Sequence, residues 1–488
     1  MNRRRRRGTL VLASAAVLAG MGLWPATAGA AASPAVITIS SSATGTNLTD
    51  GSLGLSFEAS DLALPGFTSG NLAAYLKTLG QSVIRIGGNT VDETFWTSAG
   101  APPPSWSIAT ITPADLTALA GLAQASGWKV ILGVNLKHYD PASAADEARF
   151  AHSALGSSLQ AIEIGNEPDL YSQYKSNTAQ FFTDFQAYVS AIEQAVPGLP
   201  IEGDDSIAGP ASSFQNAFVS AESGLAKPDI VELTGHNYPL TSTTCGGSPT
   251  IAGLLGTSAR DEENNNAQAA AAAAAKLRVP AVIDEANSVV CEGQQGVSDV
   301  YAAALWEVDD QLVTAREGVQ GDYMHGTVLQ CDTAKPLFMF YTPLCAPSAA
   351  DAANGILAAQ PEYYGLAAVH EIGTGAFLNL SNPDWASVRA YAIRHQDNTV
   401  TVVLDDIQDP ASNGQQSLQL DFGQSFTHGS RFNLAASSLT ATSGITLGGQ
   451  TVQGNGTLAP PASTPVTVSG STLTVTVAAG STAIITLR

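Results

Sequence analysis

The sequence predicts an α/β protein: a (β/α)8 TIM barrel followed by an antiparallel β-sandwich that an N-terminal strand joins. Three observations predict it. Between residues 50 and 373, eight short apolar strands alternate with helical segments, which is the spacing of one barrel. Past residue 375 the pattern changes to short alternating runs such as Val388-Arg389-Ala390-Tyr391-Ala392-Ile393, separated by Gly, Asn, Ser and Pro, as in sandwiches. The roughly 458 residues left after removal of a leader exceed what one hydrophobic core fills. A doubly wound sheet also alternates strands and helices, but no G-x-G-x-x-G follows the first strand here.

In chain order, residues 1–30 read as a signal peptide. Five arginines at 3–7 precede an apolar stretch at 9–23, and Ala28-Gly29-Ala30 offers a cleavage site. The stretch is short for a membrane span and ends in small residues. Sec and twin-arginine export stay open. Residues 31–48 follow as a segment expected to join the sandwich. The barrel is expected over 49–374, with strands at 53–57, 83–86, 130–134, 161–164, 201–203, 231–234, 281–283 and 319–323. Helix signals lie between them. Thr112-Pro113 and Asp140-Pro141 each pair an N-cap with Pro at the first helical position. Phe181, Phe185, Val189 and Ile192 form an apolar stripe, and the alanine run at 269–275 favours helix by composition. Residues 375–488 supply the sandwich, with further strands at 399–404 and 472–477.

Charge and cysteines narrow the setting. The chain has 21 Lys+Arg against 42 Asp+Glu, and removing the five leader arginines leaves a net charge near −26. Such a surface repels nucleic acid and anionic membranes, so neither is expected as a partner. Secretion is expected, with no prediction of oligomeric state. The four cysteines follow no zinc-ligand spacing, so no metal or cofactor is expected. An even count in an exported chain points to disulfides. Cys245 follows strand six and Cys291 strand seven, on one face of neighbouring units, while Cys331 and Cys345 both follow strand eight. Of three connectivities, Cys245–Cys291 with Cys331–Cys345 is favoured.

Barrel sites lie where strands end. Strand four leads into Gly165-Asn166-Glu167-Pro168, and strand seven delivers Asp284-Glu285-Ala286-Asn287. Two carboxylates thus face each other across the barrel mouth, as glycoside cleavage requires: one protonates the leaving oxygen while the other acts at the anomeric carbon. The expected catalytic residues are Glu167 as acid/base and Glu285 as nucleophile. Their carboxyls should stand roughly 5–5.5 Å apart if the mechanism is retaining, with Glu285 ionised and Glu167 the weaker acid.

The segment Ile162-Glu163-Ile164-Gly165-Asn166-Glu167-Pro168 resembles the acid/base motif of the retaining clan A glycosidases. Asp284-Glu285-Ala286-Asn287-Ser288 followed by Gly296-Val297-Ser298-Asp299 resembles the nucleophile region of glycoside hydrolase family 79. Arg85-Ile86-Gly87-Gly88-Asn89 and Met324-His325-Gly326 are similar to that family as well. The resemblance implies hydrolysis of β-glucuronides and a glucuronic-acid-containing carbohydrate as partner. It implies that Asn166 binds the sugar 2-hydroxyl and that Tyr238 orients the nucleophile. Glu58, Asn89 and His325 are expected to face sugar hydroxyls, with His138 and His236 also at the mouth. Phe95 and Trp96 either stack on sugar or pack. Tyr171, Tyr174 and Lys175 lie where a leaving group would pass. Family β-glucuronidases hold the uronate largely through Tyr hydroxyls and backbone amides, and Tyr341-Thr342-Pro343 looks like one such element. The loop Val289-Val290-Cys291-Glu292 departs from the pattern by lacking a Tyr. Two other readings stay open: a clan A glycosidase for neutral sugars such as xylosides or arabinofuranosides, and a non-catalytic carbohydrate-binding barrel.

Overall fold

A computed structural model describes residues 35–207, 212–331, 339–385 and 387–488. The expected leader and its cleavage site lie outside the described residues. Eight parallel strands close into a barrel: β1 (Leu53–Glu58), β2 (Val83–Gly87), β3 (Lys129–Val134), β4 (Leu159–Ile164), β5 (Ile201–Ser206), β6 (Glu232–Asn237), β7 (Ala281–Ala286) and β8 (Gly321–Gly326). Helices intervene as the sequence signals ask. Thr112 and Asp115 form a capping box before Pro113–Ser126, and the Asp140 side chain accepts the Ser143 amide at the start of Pro141–Leu155. Each satisfies an otherwise orphaned amide of the first turn.

Strand alternation explains both the core and the site. Val83, Ile131, Ala161, Val282 and Tyr323 form one apolar layer of their own. Two residues further along the same strands stand Arg85, Glu163, Asp284 and His325, all buried, so the next layer toward the C-terminal mouth is charged. Ile84, Ile86, Ile162, Ile283 and Met324, with the opposite parity, belong to the main core shared with the helices.

The second sheet begins at the N-terminus. Strand Ala35–Leu48 runs antiparallel to Gly375–Ser381 and parallel to Gln415–Asp421. The sheet continues through Val388–Arg394, Val400–Asp406 and Ser481–Leu487 on one side and Thr472–Ala478 on the other. Ala390, Val402 and Ile485 share a core with Ile37, Leu418 and Val475. Their alternate neighbours Tyr391, Val403 and Ile484 belong to the barrel's core instead. These strands are thus buried on both faces. Asp309, on helix Tyr301–Arg316, pins the contact: it receives bonds from Arg389 at 2.6 Å and Tyr391 at 2.6 Å.

Several strands are longer at their C-terminal ends than the apolar runs suggest. Strand β5 extends past Gly203 through Asp204, Asp205 and Ser206, and β6 and β8 run through His236 and His325. Polar residues there look like turn in sequence, but side-chain partners within the barrel hold them in the strands, Asp205 with left-handed backbone at φ 59°. The bridges Cys245–Cys291 and Cys331–Cys345 are both formed, with Cα separations of 6.3 and 5.2 Å. No helix among the described residues is long and apolar enough to cross a membrane.

Candidate active site

Glu285 should face outward by strict alternation from Asp284. A register irregularity between Ile283 and Glu285, where β7 pairs with β6, resets it, and a bulge of this kind re-aims a side chain. Its Oε2 accepts from Arg85 at 2.8 Å and its Oε1 from the Tyr238 hydroxyl at 2.7 Å. His236 and His325 stand 3.7 and 3.8 Å away. Burial alone would raise its pKa, but His236, His325, Arg85 and the Tyr238 bond outweigh burial and hold it well below the usual carboxylate range.

Glu167 follows Gly165 and has left-handed backbone, φ 49°, which few non-glycine residues adopt. Its amide is tied to the Asp205 carbonyl at 2.9 Å, and its Oε1 lies 3.0 Å from His236 Nδ1. Its pKa is raised, first by burial and further by the Glu285 charge, against the lowering effect of His236. An oxygen of Glu167, an oxygen of Glu285 and a His236 nitrogen all lie within 4.8 Å of one another.

The other residues singled out in the sequence gather around this pair. Asn166 accepts from Arg85 at 2.9 Å and donates to Asn89 at 3.3 Å. Glu58 accepts from the Thr90 amide and hydroxyl at 2.7 and 2.6 Å and lies 3.4 Å from His325. The Tyr341 ring stacks obliquely on Tyr238, centroids 5.7 Å apart, and lies 6.3 Å from His325. Trp96 does not join them: it is buried, packs on Phe150 and donates to Asp146.

Sequence reasoning missed the cationic hub beneath the pair. Arg85, fully buried, donates to Glu163 at 2.6 and 2.8 Å and to Asp205 at 3.1 Å, besides Asn166 and Glu285. His236 completes the ring with Nε2 2.8 Å from Asp205. Burial disfavours charge on both, but the surrounding carboxylates win, and both pKa values are raised well above the ordinary values. An arginine inside an apolar strand was the available signal, because a charge there must be paired. Three trios bring possible metal donors together: Glu167, His236 and Glu285; Asp205, His236 and Asp284; and Glu163, Glu202 and Asp284. Each already has a cationic partner, His236 in the first two and Arg85 in the third.

Fold and site define a class: a (β/α)8 barrel carrying a β-domain, with two carboxyls at the ends of strands four and seven, as in clan A glycoside hydrolases. Residues 390–484 match the model of the glycosyl hydrolase family 79 C-terminal beta domain. A beta-glucuronidase of Aspergillus niger is 28% identical over 300 residues, 55% of this chain and 55% of that protein. One of Neurospora crassa is 26% identical over 309 residues, 58% of this chain and 52% of that protein. The chain thus spans about half the length of the curated relatives it matches. The crystal structure of a 4-O-α-L-rhamnosyl-β-D-glucuronidase from Fusarium oxysporum 12S superposes with a TM-score of 0.75 at 23% identity, covering 92% of this chain and all of that one. The chain is thus similar to glycoside hydrolase family 79 in its C-terminal residues 390–484 and to two fungal beta-glucuronidases over a little more than half its length.

Proposed function

We propose that the chain is a secreted retaining glycoside hydrolase that cleaves β-glucuronides by double displacement, with Glu285 as nucleophile and Glu167 as acid/base. One observation carries the reading: two buried carboxyls, close enough for their oxygens to lie within 4.8 Å, have their acidities driven in opposite directions. That approach suits a retaining pair, spaced roughly 5–5.5 Å, better than an inverting pair at roughly 6.5–9.5 Å. The ionised Glu285, aimed by Arg85 and Tyr238, attacks the anomeric carbon while protonated Glu167 delivers its proton to the leaving oxygen. Ester formation neutralises Glu285 and removes one of the charges that raise Glu167's pKa. Glu167 then becomes the base that activates water for the second displacement. His236, held between Glu167 and Asp205, keeps the acid/base carboxyl in place throughout.

The glucuronide assignment draws on the named activity of both fungal relatives. A uronate here would rest on neutral donors such as the Tyr341 hydroxyl and backbone amides, since Arg85 is committed to carboxylates beneath the pair. Residues 49–374 would carry the chemistry, braced by 31–48 and 375–488. The two disulfides accord with export and with cleavage of a leader near Ala30. The test is kcat/KM on aryl β-D-glucuronide, β-D-xyloside, β-D-glucoside and α-L-arabinofuranoside. The glucuronide should lead. A preference for a neutral glycoside would overturn the substrate and leave the carboxyl pair standing.

A further inference from the structure

A second set of bonds, outside the ring around Arg85, grips the acid/base loop from the side. Buried Asp92 stands on the short turn Asn89–Glu93 that follows β2. Its Oδ1 accepts the hydroxyl of Tyr171 from the acid/base loop. Half-exposed Lys137, from the loop after β3, brings Nζ to 3.6 Å from Asp92 Oδ2 and stands 5.8 Å over the Tyr171 ring. The Tyr171 oxygen in turn accepts the Asn166 amide at 3.4 Å, and Asn89 on the same turn accepts the Asn166 side chain at 3.3 Å. Asn166 is thus held at main chain and side chain by one short turn. That turn is itself tied to β1, because Glu58 accepts both the amide and the hydroxyl of Thr90.

The direction of these bonds matters. An ionised carboxylate only accepts, so it draws the Tyr171 proton to itself and leaves the phenolic lone pair facing the Asn166 amide. A neutral group at position 92 can donate instead, and the hydroxyl is then free to turn its proton toward that amide and break the contact. Buried polar strings of this kind, fully satisfied, specify one arrangement. One arrangement is needed here: Glu167, next in the chain, has left-handed backbone, which persists only where the surroundings over-determine it. Burial raises the Asp92 pKa to about 6, with Glu93 adding to the rise and the Tyr171 bond and Lys137 opposing it. The carboxylate is therefore formed at neutral pH and lost in mild acid.

We propose that Asp92 is a positioning residue of the acid/base loop: its carboxylate, steadied by Lys137, orients the Tyr171 hydroxyl, which fixes Asn166 and through it the pose from which Glu167 protonates the leaving oxygen; the role rests on the glycosidase reading above. The test compares wild type, Asp92→Asn and Tyr171→Phe on two substrates. Phenyl β-D-glucuronide needs its leaving oxygen protonated, and 2,4-dinitrophenyl β-D-glucuronide hardly does. On the phenyl substrate kcat/KM should fall roughly tenfold or more in each variant, and on the dinitrophenyl substrate by at least threefold less. Both substitutions together should lose little more than the larger single loss, since each breaks the same link. Independently of turnover, the Asn166 amide is followed by NMR in 15N-asparagine-labelled protein, its peak identified by its absence from Asn166→Gln. In wild type it should titrate with a midpoint near pH 6, and in either variant that titration should vanish; Tyr171→Phe decides alone if Asp92→Asn does not fold. The proposal is overturned if both substrates lose alike, if the two single losses multiply, or if the amide titrates in the variants as in wild type. A wild type that hydrolyses neither glucuronide would sink the glucuronidase reading, and the amide titration then decides on Asp92 by itself.

Discussion

Replacing Tyr238 with Phe removes a single oxygen and tests how the proposed nucleophile is held. Glu285 accepts two hydrogen bonds, from Arg85 at 2.8 Å and from Tyr238 at 2.7 Å, so the variant keeps one and loses the other. A hydrogen bond to a charged group is worth about 1.5–3 kcal/mol. If it is needed to aim and ionise the carboxylate, kcat/KM should drop roughly ten- to 150-fold. The pH profile supplies a second readout. The Tyr238 bond is one of the influences that lower the Glu285 pKa, after burial, which opposes them. Removing it raises that pKa, and because the ionised form reacts, the acidic limb should move to higher pH. Steady-state rates on an aryl β-glucuronide between pH 3 and 8 give both numbers. A variant within twofold of wild type, with an unmoved acidic limb, would refute the reasoning.

Tyr341→Phe should lose about 1.5–3 kcal/mol of transition-state binding on a glucuronide and little on the matching xyloside, which lacks the carboxylate; equal losses on both would deny Tyr341 contact with the uronate. Gly88→Ala should lower stability by about 1–3 kcal/mol in denaturant titration, since Gly88 has φ +67° and a Cβ there would meet Glu58 Oε2 at 2.7 Å and His325 at 3.0 Å; an unchanged midpoint would contradict the packing. The fold should be more stable in mild acid than in mild base. Burial raises Asp61 and Glu263 to about 8 and Asp322 and Asp405 to about 7, against roughly 4 when unfolded. A raised folded pKa gives stability that is fully present below pH 4 and lost as pH climbs through 7 to 8. Thermal melts should therefore show a lower midpoint at pH 8.5 than at pH 5, and the reverse order would contradict the burial argument.

The parts legible in the sequence were those whose information is local. Asp140-Pro141 and Thr112-Pro113 carry their own helix starts, and the barrel's alternation survives in runs such as Val83-Ile84-Arg85-Ile86. Glu167 and Glu285 could be found because each ends an apolar strand, where barrel chemistry gathers. What stayed hidden depends on pairing across the barrel. Asp205 sits in Gly203-Asp204-Asp205-Ser206, which reads as a turn until Arg85, from β2, and His236, from the neighbouring β6, hold its side chain inside the barrel. The re-aiming of Glu285 likewise comes from β7's register against β6, which no single strand encodes. Helix Tyr301–Arg316 is buried along nearly all its length, acidic residues included, because the second sheet covers the side that a barrel helix normally turns to solvent.

The central claim, that Glu285 attacks the anomeric carbon of a β-glucuronide, is tested most directly by chemical rescue. Glu285→Ala is incubated with an aryl β-D-glucuronide bearing a good leaving group, with and without sodium azide, and the product is identified by NMR. The account predicts no turnover without azide and restored release of the aryl alcohol with it, giving the inverted α-glucuronosyl azide. Undiminished hydrolysis by Glu285→Ala, or an azide adduct of β configuration, would contradict it.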